Sequence, residues 1–237
     1  TLTPGQATGG NPFTPAQLTT ALWLDFGDAS TVSLSGSNIT QVDDKSGNAR
    51  HASQSTNAKR MGYATASING LNCATSNGDQ FVALASSLSI QSIFIVTQFT
   101  SPTSGDYQFI FGDASTYPFH GTGYVSTLLD STNAATEVKN GSGWVNGSSV
   151  APLSMTKLSA VSIYAFSPAG AVSVSQFSYD RNNATRGIQG NICEIVAFSS
   201  PINTANRQRV EGYLAHRWGT TSSLPSDHPY KTTAPTF

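Results

Sequence analysis

Short β-type runs, each closed by Gly, Asn, Asp, Ser or Pro, recur along most of this chain: Ala21 to Phe26, Ile39 to Val42, Leu71 to Ala74, Gln80 to Leu84, Ser92 to Phe99, Gln108 to Phe111, Tyr124 to Leu129, Trp144 to Val145, Leu158 to Phe166, Ala171 to Tyr179 and Asn191 to Phe198. Apolar and hydroxyl side chains alternate from Ala171 to Tyr179, where Val172 and Val174 give way to Phe177 and Tyr179 after a slip of one. That is the pattern of a half-buried strand with a bulge. Ile93 to Val96 is apolar at every position, as a strand covered on both faces would be. Asn-Gly pairs at Asn69, Asn77, Asn140 and Asn146 fall between the runs, and Asn-Gly tolerates the positive φ angles of tight hairpins. Antiparallel connections follow.

A helical period is sustained only once. Asn203 or Thr204 caps a segment whose Val210, Tyr213, Leu214 and Trp218 form one stripe, and Gly219 is placed to end it. Thr14-Pro15-Ala16-Gln17 supplies a cap and a first-turn proline, enough for one turn. The pattern predicts an all-β domain, a two-sheet antiparallel sandwich or jelly roll, with one C-terminal helix over 204–218 docked on it. Residues 1–13, rich in Gly, Thr and Pro, predict an extended arm or linker; the domain runs over 14–237 and closes in a proline-stiffened tail.

Composition narrows the function. The 237 residues carry 12 Lys plus Arg against 13 Asp plus Glu, and only 11% are charged, whereas Ser and Thr make up about a quarter. The wet faces are therefore hydroxyl and amide. With 38% hydrophobic residues the chain has the apolar area for a folded core, and a net charge of −1 without a basic block excludes nucleic acid as a partner. No apolar run approaches the roughly 18 residues of a helical membrane span. Two cysteines, Cys73 and Cys193, leave a single disulfide and two buried thiols both open.

Glycoside hydrolysis needs two facing carboxylates, but none of Glu137, Glu194 and Glu211 has an acidic residue two or four positions away. No catalytic residue is assigned. Asp43, Asp44 and Asp79, beside Gly and Asn, offer oxygen ligands for Ca2+, though the same residues serve tight turns as local hydrogen-bond acceptors. The four histidines are scattered and suit structural roles. Loop aromatics among amides and carboxylates suit saccharide recognition, which stacks sugar rings on aromatic faces and hydrogen-bonds their hydroxyls. The candidates are Tyr107, Asp113, Tyr117 and His120 in one loop, and Tyr179, Asp180, Arg181, Asn182 and Asn183 in another. Trp23, Trp144 and Trp218 read as core or helix-docking residues.

Several phrases together carry a family resemblance: Trp23-Leu24-Asp25, Asp43-Asp44-Lys45-Ser46-Gly47-Asn48 with His51-Ala52, Ile68-Asn69-Gly70-Leu71-Asn72, Asn191 to Phe198, and Asn206 to Gly219 followed by Leu224-Pro225 and His228-Pro229-Tyr230. Over roughly residues 18 to 233 the chain resembles the LamG-like, concanavalin A-like jelly-roll domains of phage and bacterial surface proteins. It departs from them where their third phrase ends in Phe-Asp-Gly, reading Cys73 to Asp79 instead, and it lacks the Glu-x-Asp-x-Glu signature of the laminarinase-like relatives. The resemblance implies a non-catalytic virion or cell-surface structural module: a capsid-decoration, head-fibre or tail-associated protein, with host glycans as a further contact. Its partners would be other virion or surface proteins reached through residues 1–13, or further copies of itself. The alternative is a lectin-like module of a secreted or surface-bound bacterial protein; a glycan-cleaving enzyme stands last. Either way the expected location is the virion surface or the extracellular space.

Overall fold

The computed structural model describes residues 10–104, 107–181, 183 and 185–237, so Asn182 and most of the expected arm lie outside the described residues. In chain order the strands are β1 (Leu22–Asp25), β2 (Val32–Ser35), β3 (Asn38–Val42), β4 (Ala52–Ser53), β5 (Gly62–Ile68), β6 (Leu71–Asn77), β7 (Val82–Ile90), β8 (Ser92–Phe99), β9 (Phe111–Gly112), β10 (Ser142–Val145), β11 (Ser148–Ser149), β12 (Ser162–Ser167), β13 (Val172–Phe177) and β14 (Gln189–Phe198). The helices are α1 (Thr136–Lys139) and α2 (Thr204–Trp218). The protein is all-β in character, built on one large antiparallel sheet.

A single path of pairing runs β11-β10-β12-β8-β14-β6-β5-β3-β4-β7-β13-β9, with β1 added to β14 and β2 to β3. This sheet curls. Ile93 and Ile95 of β8, Tyr164 of β12 and Ile195 of β14 share one apolar core with Val174 and Phe177 of β13 and Phe111 of β9, which come from the far end of the path. Curling buries the inner apolar face of the sheet from both ends of the path at once, the main favourable term available to a chain with so few charges.

Local chemistry explains the connections. Asn69-Gly70 (φ 49° and 74°) joins β5 to β6 with Ile68 opposite Leu71, and Asn146-Gly147 (φ 49° and 78°) joins β10 to β11 with Val145 opposite Ser148. Two-residue turns with both φ angles positive match the twist of the strands they join. The slip in β13 is a bulge: its register against β7 shifts between Val174 and Gln176. Tyr124 to Leu129 is not the strand its composition suggested. Tyr124 takes φ 58°, a left-handed backbone that breaks regular strand pairing, and only isolated bridges, Gly121 to Leu129 and Thr127 to Thr156, tie the segment down.

The described part of the expected arm is docked on the domain. Pro12 is bridged to Thr236, Phe13 N donates to Pro235 O at 3.0 Å, and the buried Phe13 ring meets Tyr213 edge-on at 6.4 Å.

Helix α2 covers the outer face of β14 through a second apolar cluster that includes Val210, Leu214, Trp218, Trp23, Val196 and both cysteines, which are free thiols. Asn203 caps it, its side chain accepting from Asn206 N, and Gly219 closes it at φ 72°. At the centre of this seam a bulge between Ile192 and Glu194 places Glu194 beneath the helix. Its carboxylate accepts from Trp23 Nε1 at 2.6 Å, Trp218 Nε1 at 2.7 Å and the Tyr213 hydroxyl at 3.0 Å. Neighbouring Asp25, equally buried, accepts from Arg217 Nη2 at 2.8 Å and Lys45 Nζ at 3.0 Å. Burial, and then the charge of Asp25, push the Glu194 carboxyl up to about 7 against the pull of the indole donors and Arg217.

Candidate ligand-binding face

Three loops meet beside β9 and β13 because their backbones approach more closely than side chains would allow. A Cβ on Gly112 would stand 2.1 Å from Tyr179 O, and one on Gly121 would stand 2.2 Å from Gln108 O. Gln108 ties the loops further: its Nε2 donates to Ser101 O at 2.7 Å and its Oε1 accepts from Gln189 N at 2.9 Å. Phe109 N donates to Arg186 O at 2.9 Å, which draws the Ser178–Ile188 loop alongside.

This packing gathers six of the nine residues singled out for saccharide: Tyr107, Tyr117, His120, Asp180, Arg181 and Asn183. Asp180 is buried, and its carboxylate accepts from Arg181 Nε at 2.9 Å, Arg186 Nη1 at 2.9 Å and Asn183 Nδ2 at 3.3 Å. Burial would raise its pKa, but the two arginine hydrogen bonds outweigh it and hold the carboxyl below the ordinary value. Each guanidinium in turn lies over a tyrosine ring, Arg181 at 4.3 Å from the centre of Tyr117 and Arg186 at 4.8 Å from the centre of Tyr107. His120 stands between them, edge-on to Tyr107 at 5.5 Å and to Tyr117 at 5.4 Å. Its Nδ1–H donates to Gly121 O at 3.0 Å, and burial lowers its pKa, so the ring is neutral at pH 7. Both tyrosines remain 37% exposed. Tyr117 lines a groove of about 590 Å³ in which apolar Pro118, Ala135, Ala171 and Val172 stand beside the hydroxyl, amide and carboxylate groups of Ser115, Thr116, Ser173, Asn133 and Glu137.

Two expected ligand residues are placed differently. Tyr179 is 3% exposed, with its ring stacked on Phe81 at 4.0 Å and the ammonium of Lys59 5.7 Å from its centre, so its face belongs to the interior. Asp113 is buried in a basket of serines: Ser173 Oγ at 3.2 Å, Ser175 Oγ at 3.1 Å, Ser115 N at 3.1 Å and Oγ at 3.0 Å, and Ser87. Burial opposes ionisation there, but these donors win, and its pKa falls to about 2. Asp113 fixes the loop after β9 and does not face the groove.

The three aspartates suggested for Ca2+ do not converge. Asp44 accepts from Trp23 N, Ser46 N, Ser46 Oγ and Arg50 N and so braces its own turn. Asp43 takes Gln41 Nε2 at 2.7 Å, and Asp79 pairs with Lys59. Among the described residues no three His, Cys, Asp or Glu side chains form a metal-holding group. The histidines hold structure: His216 Nε2 donates to Tyr230 O, and His228 Nε2 lies 3.2 Å from the buried Glu211 carboxylate.

Arg186 and the groove residues Asn133 and Glu137 escaped the sequence reading, because nothing in linear spacing joins them to Tyr107 or Tyr117. Compared with known protein families, curated proteins and solved structures, the chain matches none.

Proposed function

We propose that this protein is a non-catalytic module displayed on a virion or cell surface, with the curled sheet forming a concanavalin A-like jelly roll, and that its loop face holds saccharide against Tyr117. One observation carries this: Tyr117 is backed by Arg181, braced edge-on by His120, and opens onto a groove that sets apolar side chains beside hydroxyl, amide and carboxylate groups, the mixed surface that the two faces of a sugar ring need. An aromatic ring fixed in place stacks on a sugar at little entropic cost, and the surrounding hydroxyls and amides exchange hydrogen bonds with the sugar's own. Asp180 and Asp113, the buried carboxylates of this face, are both spent on hydrogen bonds that hold loops, which favours holding over cutting. Sharing of one core by strands from opposite ends of the path supports the jelly roll.

A glycan array probed with the wild-type chain and with Tyr117→Ala tests the proposal. Binding to a defined set of glycans by the wild type, lost in the variant while the circular dichroism spectrum is kept, is expected. An array blank with and without Ca2+ overturns it, as does a variant that binds like the wild type.

A further inference from the structure

The Asp43–Asn48 turn, prominent in the sequence, has no part in the loop face, yet its last residue, Asn48, lines with Arg50 a separate groove of about 730 Å³. We infer that this groove is a second binding site, for a saccharide carrying a carboxylate or a sulfate. The four hydrogen bonds to Asp44 hold the turn rigid, and it closes through left-handed backbone at Gly47 (φ 88°) and at Ala49 (φ 54°). A left-handed alanine costs free energy and persists only where its surroundings enforce it. Here it separates the two residues that face the groove. Asn48 Nδ2 donates to Thr20 O at 2.9 Å and Arg50 Nη1 to Ala21 O at 2.6 Å, which locks the turn against the segment before β1.

The opposite wall is the β14–α2 connection, with Ser199, Ser200 and Asn206, and Gln17 closes one end. The volume falls in the range of small-ligand sites, about 300 to 1,000 Å³. Amides and hydroxyls supply the donors and acceptors that sugar hydroxyls need. Among the described lining residues Arg50 is the sole ionised side chain and no carboxylate is present, so the groove favours an anionic group over a neutral or cationic one. The positive end of the α2 dipole, at Asn203, adds to the same field. This site stands independently of the loop face, and each can fail without the other.

Titration of the isotope-labelled full chain, followed by amide ¹H–¹⁵N correlation spectra, tests the inference. The probes are N-acetylneuraminic acid, glucuronic acid and N-acetylglucosamine 6-sulfate, with glucose as the neutral control. At least one acidic sugar should shift the amides of residues 48–50 and 199–206 in saturable fashion, and the carboxylate and sulfate probes distinguish which anion is taken. Arg50→Gln should weaken that binding about tenfold or more by removing the charge-assisted contact. Ser199→Trp, an exposed position, should fill the groove and abolish it, while Tyr117→Ala should leave it unchanged. Should the Arg50 variant not fold, the Ser199 variant decides alone. The inference is overturned if no acidic sugar shifts these amides, if glucose shifts them as strongly, or if the groove-filled variant titrates like the wild type.

Discussion

Two assemblies in this protein use the same parts, a buried carboxylate, arginine and aromatic rings, to opposite ends. Beneath α2, Glu194 and Asp25 are enclosed by Trp23, Trp218, Tyr213, Arg217 and Lys45, and the indole N–H groups point inward at the carboxylate. At the loop face, Asp180 is also buried, but its arginines reach outward and lay their guanidinium planes over tyrosines that stay partly exposed. In the first case the donors converge on the acid, and the carboxylate is what they hold. In the second the acid serves as an anchor, and the surface it fixes is what the molecule presents. The direction in which the polar groups face, more than their identity, separates a clamp from a binding surface.

The sharpest way to break this comparison is to remove the acid from each. Glu194→Ala strands the buried indole donors and Arg217, and should cost about 3–5 kcal/mol of stability in urea denaturation. The fraction still folded should bind saccharide as the wild type does; a loss of binding alone would show the seam and the loop face to be one unit. Less drastic is a change of pH. Because the folded-state pKa of Glu194 is raised, to about 7 from an unfolded 4.5, the folded protein holds the proton more tightly, and stability conferred by the protonated form is lost as pH rises from about 4.5 to about 7. Glu194→Gln should flatten the fall in melting temperature across that window, and an unchanged slope would assign it to another group. The smallest effect on stability belongs to Asp180→Asn, whose arginine partners are about a third exposed. About 1 kcal/mol is expected. Saccharide binding should fall much further than stability, because Arg181 would no longer be held over Tyr117. Equal loss of both would make Asp180 part of the core.

The limits of linear pattern lie along the same divide. Helix α2 was legible from its cap, stripe and terminal glycine, since each is local chemistry repeated at a helical period. The hairpins at Asn69 and Asn146 and the bulge in β13 were legible for the same reason. By contrast, β2 and β5 escaped notice because they are mostly exposed or half-buried and carry little apolar alternation. Tyr179 looked like Tyr117 in sequence, both being aromatic residues in polar loops. Only the stack on Phe81, from a loop about a hundred residues earlier, turned it inward.

By itself the sequence determined an antiparallel β-protein with one amphipathic helix and hydroxyl-rich loops, because strand alternation, turn residues and helix caps act over a few neighbouring residues. Tertiary structure alone decided that the sheet curls upon itself, that Glu194 is sealed while Arg181 is displayed, and that the Asp44 turn is tied to Trp23 N. Those outcomes depend on which distant segments exclude water from one another, and no local pattern encodes that.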